Sequence, residues 1–211
     1  VFRQGTGTDA TYAFKHALVQ DAAHGSLLKS QRQRLHARIA AVLENQFPEE
    51  AAAAPEVVAQ HYAEGGLDES AGEWWTRAGR QAFERSMSGE AIASLGKALA
   101  IHDARSDRVG TQELAKNNLI ALGAALTAVQ GYAAAETQRI VRRAREVCRG
   151  VRDLDRVIPV LYGEWSTLLG LGQFDDADNV AKELAQFLVE TSSNQFIYMP
   201  NFMLAYTHML R

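Results

Sequence analysis

The sequence predicts an all-α protein: helical hairpins stacked in a right-handed superhelix, with a short β-hairpin remnant at the N-terminus. Three observations predict this. First, the 211 residues are 47% hydrophobic and 22% charged with only four prolines, and good helix formers outnumber β-branched residues. Second, Glu73–Asp103 reads as two helices joined by a turn at Ser86-Met87-Ser88-Gly89. Trp75, Ala78, Gly79 and Ala82 share one face of the first helix, and Ala91, Leu95, Ala98 and Leu99 one face of the second. Third, Ala91, Ala135 and Ala177 follow successive turns at a spacing of about 43 residues, the mark of a repeat.

Small residues at Gly79, Ala91 and Ala98 let two helices approach to about 8–10 Å, with Trp75 and Leu95 filling the space beside the crossing. Such a hairpin is tetratricopeptide-like. It cannot bury both of its apolar faces alone, so it needs neighbours on either side. The predicted organisation is an end-piece and linking helices over 1–47, a linker and connecting helix over 48–68, and repeats over 69–211. The repeats divide at about 70–104, 107–151, 153–191 and a partial unit at 194–211.

Along the chain, Val1-Phe2-Arg3 and Tyr12-Ala13-Phe14 flank a Gly/Thr/Asp loop and predict the hairpin. Gly5-Thr6-Gly7-Thr8 lacks the lysine and following helix of a phosphate loop. A helix over His16–Leu28 is expected to bury Ala17, Leu18, Ala22 and Leu28. A second, Ser30–Phe47, is expected to bury Leu35, Ile39, Val42 and Leu43 opposite Lys29, Arg32, Arg34 and Arg38. Without interleaved aromatics that basic side reads as a solvated face. Pro48-Glu49-Glu50 and the alanines after it read as a linker. Pro55 opens a helix ending at Gly65-Gly66, with Val57, Val58, His61 and Tyr62 as its apolar side.

Beyond the first hairpin, Asp107–Gln130 pairs with Ala133–Val151, and Asp153 begins a third pair that turns at Gly172-Gln173-Phe174. In Asn194–Arg211, Phe196, Ile197, Met199, Phe202, Met203, Tyr206, Met209 and Leu210 surround the helix with apolar groups. That face is expected to be covered by a second copy of the chain or by another partner.

The net charge of −3 gives no reason to expect nucleic acid or an anionic membrane, and no apolar run approaches the length of a membrane span. One cysteine, Cys148, forms no intrachain disulfide and suits a reducing compartment, so a cytoplasmic location is expected. The chain starts at Val1 and stops inside a helical pattern, which reads as a piece of a longer protein.

Candidate chemistry is sparse, and no catalytic, cofactor or metal site is expected. The six histidines show no zinc-helix spacing and no cysteine partner. Asp175, Asp176 and Asp178 lie at a helix start, where capping explains them better than calcium. Cys148 sits among Arg142, Arg143, Arg145 and Arg149, which favour a thiolate; with no histidine beside it, a structural thiol is the reading taken. Trp75 and Trp165 are assigned to packing, and Trp74 is expected to be partly exposed. In stacked hairpins the first helices line a concave groove. By register that surface includes Arg80, Glu84, Asn117, Thr127, Tyr162 and Ser166, where a protein or peptide partner is expected.

Two stretches go further. Tyr12–Ala23 (YAFKHALVQDAA), continuing through Ser26-Leu27-Leu28 and Arg34–Ala40 (RLHARIA), resembles the segment that follows the ATPase module in bacterial signalling proteins of the class III adenylate/guanylate cyclase type. Ala59–Leu67 (AQHYAEGGL) and Gly131–Glu136 through Ala144–Cys148 are similar to the same family. His24 stands where that family usually has Tyr, and Ala135 where it usually has Pro. The resemblance implies a cyclase domain, a regulatory ATPase and then tetratricopeptide-like repeats, with Val1–Lys15 ending a winged-helix-like module. It carries no catalytic residue onto this chain, because the phosphate loop, metal-binding acids and cyclase core lie upstream. The expected function is a non-catalytic regulatory repeat segment that contacts the upstream ATPase. A transcription activator with its DNA-binding domain elsewhere is the alternative, and a free-standing helical enzyme would require a closed polar pocket.

Overall fold

The computed structural model describes residues 2–4, 11–13, 16–104, 109–194 and 196–211. It is all-α apart from two three-residue strands, β1 (Phe2–Gln4) and β2 (Thr11–Ala13), which pair antiparallel with Phe2 opposite Ala13. The loop and flanking residues of the expected N-terminal hairpin lie outside the described residues. The chain divides into two compact units, Val1–Ala71 and Gly72–Arg211.

The first unit holds α1 (Ala17–Ser26), α2 (Lys29–Gln46), α3 (Pro48–Ala53) and α4 (Pro55–Glu64). The stretch read as a linker is thus a helix. Pro48 at its first position, Glu49 and Glu50 in its first turn and the alanines behind them make a short helix stable there. α2 packs on both α3 and α4, and the expected faces hold in part: Val58 and Tyr62 are buried and Val42, Leu43 and His61 half-buried. Leu18 is 82% exposed and Ala22, Leu28, Leu35, Ile39 and Val57 are exposed too, whereas Ala40, Ala51 and Ala59 are buried. The reason is close approach: a Cβ on Gly65 would stand 3.0 Å from the backbone N of Ala37. Contact through small residues turns the larger Leu35 and Ile39 outward.

The second unit contains the rest of α5 (Asp68–Glu84), then α6 (Ser88–Asp103), α7 (Val109–Gln130), α8 (Ala135–Val147), α9 (Leu154–Gly170), α10 (Phe174–Glu190) and α11 (Tyr198–Leu210). Each helix from α6 to α10 packs on its successor. α5 and α6 run antiparallel: Gly72 faces Ile101 and His102, and seven residues later Gly79 faces Leu95. The left-handed residue of their turn is Ser86 (φ 60°). Gly89, assigned to the turn by sequence, already belongs to α6. Gly131 (φ 77°) and Gly172 (φ 71°) supply the same conformation after α7 and α9, where glycine adopts it at least cost.

One burial pattern recurs in the even-numbered helices. Ala91, Ser94, Leu95, Ala98 and His102 of α6 are buried; so are Thr137, Ile140, Val141, Ala144 and Cys148 from α8, and Ala177, Val180, Ala181, Leu184 and Leu188 from α10. The spacing i, i+3, i+4, i+7, i+11 is a single helical face. Thr137 rather than Ala135 matches Ala91 and Ala177, because Ala135 is exposed in the first turn of α8. Trp74 is also corrected: it is 5% exposed, as is Trp75. Arg77 lies 4.5 Å over the Trp74 ring and Lys97 3.9 Å over that of Trp75, so each indole is roofed by a cationic side chain.

The odd-numbered helices are joined by side-chain bonds of nearly constant sequence separation. Asn118 Nδ2 donates to Thr76 Oγ1, 42 residues away, at 2.8 Å. Arg156 pairs with Glu113 across 43 residues, and Trp165 Nε1 donates to Thr207 Oγ1 across 42, at 3.0 Å. Trp165 therefore points towards α11, while Gly79 and Gly123 face the helix that follows their own.

The two kinds of glycine separate in a stability measurement. A Cβ at Gly79 would fall 2.5 Å from Leu95 Cγ, whereas one at Gly96 meets nothing within 4 Å. Gly79→Ala is expected to lower the urea-unfolding free energy by about 1–3 kcal/mol, and Gly96→Ala to raise it by about 0.5–1 kcal/mol. Changes of the same sign at both sites would show that α5 and α6 are not in such close contact.

Candidate functional site

The residues expected to form a partner surface lie on α5, α7 and α9. Arg80 and Glu84 are exposed on α5, Asn117 is half-buried on α7, and Ser166 is buried on α9 with no surface to present. Ser166 lies in a run of three successive buried residues, Trp165, Ser166 and Thr167. Thr127 and Tyr162 are brought together, because both line one cavity of about 240 Å³ between α7, α8 and α9.

That cavity follows from local sequence. α7 brings Leu119, Gly123 and Thr127, α8 brings Val141 and Ala144, and α9 brings Pro159, Val160 and Gly163. Gly123 and Gly163 put no side chain into the space. Pro159 stands inside α9 and cannot donate a backbone hydrogen bond there. Tyr132, in the loop opened by left-handed Gly131, reaches back to complete the wall. Its Cβ would be 3.4 Å from a Cβ on Gly170. Thr127 Oγ1 donates to the carbonyl of Gly123 at 2.8 Å, so its proton is used within α7 while its oxygen can still accept. Sequence reasoning missed Tyr132, Pro159 and Gly163. The one available signal was the pair of helix-interior interruptions, Pro159 and Gly163, four residues apart.

Charged groups lie around the helices as interhelical pairs. Arg145 Nε is 2.8 Å from Glu164, and the same guanidinium pairs with Glu183, linking α8 to α9 and α10. Burial pushes the Glu164 carboxyl up, against the opposing pull of Arg145. Arg143 pairs with Asp103. At the start of α10 the N-cap residue Gln173 makes no side-chain cap, and Asp175 and Asp176 stand in the first turn, where carboxylates suit the helix dipole. Arg211 bridges Asp175 at 2.7 Å and Asp178 at 3.2 Å. Among the described residues no group of three or more His, Cys, Asp or Glu could hold a metal ion, and no helix is long and apolar enough to cross a membrane.

Two polar clusters are internal. In the second unit the Thr76 hydroxyl donates to the Gly72 carbonyl at 2.8 Å, accepts from Asn118, and stands 3.4 Å from His102 Nε2. Having used its single proton, it can only accept from the imidazole. Burial holds the His102 pKa below its ordinary value, which keeps the ring neutral. In the first unit His36 Nδ1 and His61 Nδ1 are 2.8 Å apart, so one of these nitrogens must be bare. Burial, then the charge of His36, lowers the His61 pKa. Neither cluster opens into a cavity with a second reactive group.

Cys148 is buried, and that burial pushes its thiol up despite Lys116, Arg156 and Arg145 nearby. Desolvation outweighs the arginines, in keeping with a structural thiol. A thiol reagent such as DTNB is expected to label the native chain at least tenfold more slowly than the urea-unfolded chain. Equal rates would show an accessible thiolate.

Tyr62 donates to Glu44. Burial first, and then this bond, push its pKa up to about 12. Since the folded chain keeps this proton while an unfolded tyrosine loses it near pH 10, stability falls as pH rises from about 10 to about 12. The absorbance titration of Tyr62 is expected to move down in Glu44→Ala without reaching the ordinary value. An unchanged midpoint would remove Glu44 from the account.

No protein-family model matches the chain, and no solved structure matches it. An uncharacterized protein of Rhizobium meliloti (strain 1021) is 28% identical over 158 residues. The aligned region covers 74% of this chain and 15% of that relative, so the similarity extends over a small part of a much longer protein.

Proposed function

We propose that this chain is a non-catalytic, protein-interaction and regulatory segment of tetratricopeptide-like repeats, belonging to a multidomain signalling ATPase linked to an adenylate/guanylate cyclase. The observation that carries the repeat reading is the bonding of Thr76 to Asn118, Glu113 to Arg156 and Trp165 to Thr207 at separations of 42, 43 and 42 residues. Separations that regular are what stacked units of one length produce. The five-position face shared by α6, α8 and α10 supports the same reading. The signalling context rests on the resemblance of Tyr12–Ala23, Arg34–Ala40 and Ala59–Leu67 to the segment after the ATPase module. The small share of the Rhizobium meliloti relative that is matched suits a segment of a longer chain.

In this reading β1 and β2 end a winged-helix-like module. A protein or peptide docks on the surface that includes Arg80, Glu84, Asn117, Thr127 and Tyr162; Ser166 is dropped because it is buried. Docking acts on the ATPase only through unequal affinity for two arrangements of the parent protein. The exposed Ile197, Tyr198, Phe202 and Met209 around α11 provide a contact for a second copy.

The test is the parent protein with and without residues 72–211. Deletion is expected to change its ATP hydrolysis rate several-fold while leaving nucleotide binding intact. A parent gene that encodes no ATPase module, or a hydrolysis rate indifferent to the deletion, overturns the proposal.

A further inference from the structure

We propose that the cavity between α7, α8 and α9 is a binding site for a small, uncharged aromatic molecule of about the size of indole. This goes beyond the repeat reading and holds whatever module the parent protein carries.

The space is not a by-product of close helix packing. Where α5 meets α6, glycine is obligatory, since a Cβ on Gly79 would lie 2.5 Å from Leu95. At the cavity the reverse holds. A Cβ on Gly123 would stand 3.7 Å from Ile140 and Val141, and one on Gly163 3.9 Å from Val141, ordinary contact distances. Both positions could carry a side chain, and their glycines leave volume instead.

Size and chemistry then select the ligand. A dry cavity of roughly 150 Å³ holds benzene, so about 240 Å³ admits one larger ring system. Among the described residues that line it, none is charged, and a charged ligand would lose its hydration without a partner. The Thr127 hydroxyl gives its proton to Gly123, so towards a ligand it can only accept. Tyr132 and Tyr162 line the space and are each 38% exposed, so they lie on its open side, where aromatic residues suit an aromatic guest; the Tyr162 ring also packs on Trp165, with 5.4 Å between centroids. Tyr132 lies close to Gly170, where an added Cβ would stand 3.4 Å from its own.

Indole is the probe. Titrated into the 211-residue chain and followed by NMR, it is expected to shift the methyl signals of Val141 and Val160 saturably, and to bind at least tenfold more weakly to Gly163→Val, whose side chain enters the space. Gly96→Ala is the control that retains binding. Should Gly163→Val fail to fold, Tyr132→Ala at the exposed rim decides the matter, with at least a threefold loss expected. The proposal is overturned by the absence of any saturable shift up to the solubility of indole, by undiminished binding in the folded variants, or by indole-3-acetate binding as tightly as indole.

Discussion

The second unit depends on a packing constraint: α6, α8 and α10 each present one buried helical face to their neighbours, and where α6 meets α5 that contact is so close that only glycine fits at position 79. Ala91, Ala98, Ala144, Ala177 and Ala181 are buried at that face, and Gly79 has no room for even a methyl group. Close approach of this kind gives many weak dispersion contacts at once. It also fixes the direction in which each helix points its remaining side chains. Once α5 and α6 are set, Thr76 stands where Asn118 can reach it, and the next helix is placed in turn.

The buried polar groups sharpen that placement. A hydrophobic face alone tolerates sliding by a turn, whereas a hydroxyl shared by Asn118 and His102 does not. Thr207 repeats the device in another form, accepting from Trp165 while donating to the carbonyl of Met203. Ion pairs such as Arg145 with Glu164 and Glu183 join helices around the outside. They lie in partly exposed positions, where such pairs stabilise a fold little and orient it more.

Where this close packing relaxes, the cavity appears. Gly123 matches Gly79 in facing the helix that follows, yet leaves ordinary contact distances rather than forced ones. The difference lies across the helix pair: Leu95 stands over Gly79, while Ile140 and Val141, branched at Cβ, keep their methyls farther from Gly123. Pro159 and Gly163 widen the same region from α9. The site is thus a local loosening of a rule that the rest of the unit keeps.

Helix positions in the second unit were legible in the sequence because their apolar residues recur with helical period and their turns carry Gly131 and Gly172. The stripe containing Leu95, Ala98, Leu184 and Leu188 could be read directly. In the first unit the same reasoning expected Leu18, Leu35 and Ile39 to be buried and they are exposed, since periodicity gives an apolar face without saying whether small or large residues of it meet a neighbour. The proposed partner residues fared unevenly for a related cause: register places Tyr162 and Ser166 four residues apart on one helix, but only the packing of α9 decided that the first reaches solvent and the second does not. Sequence alone determined most of the helical segments and roughly where they turn, the short α3 excepted, because those properties are local. Which faces meet, which glycines are forced and where a cavity remains were decided by tertiary structure, because each depends on the shape of the side chain opposite.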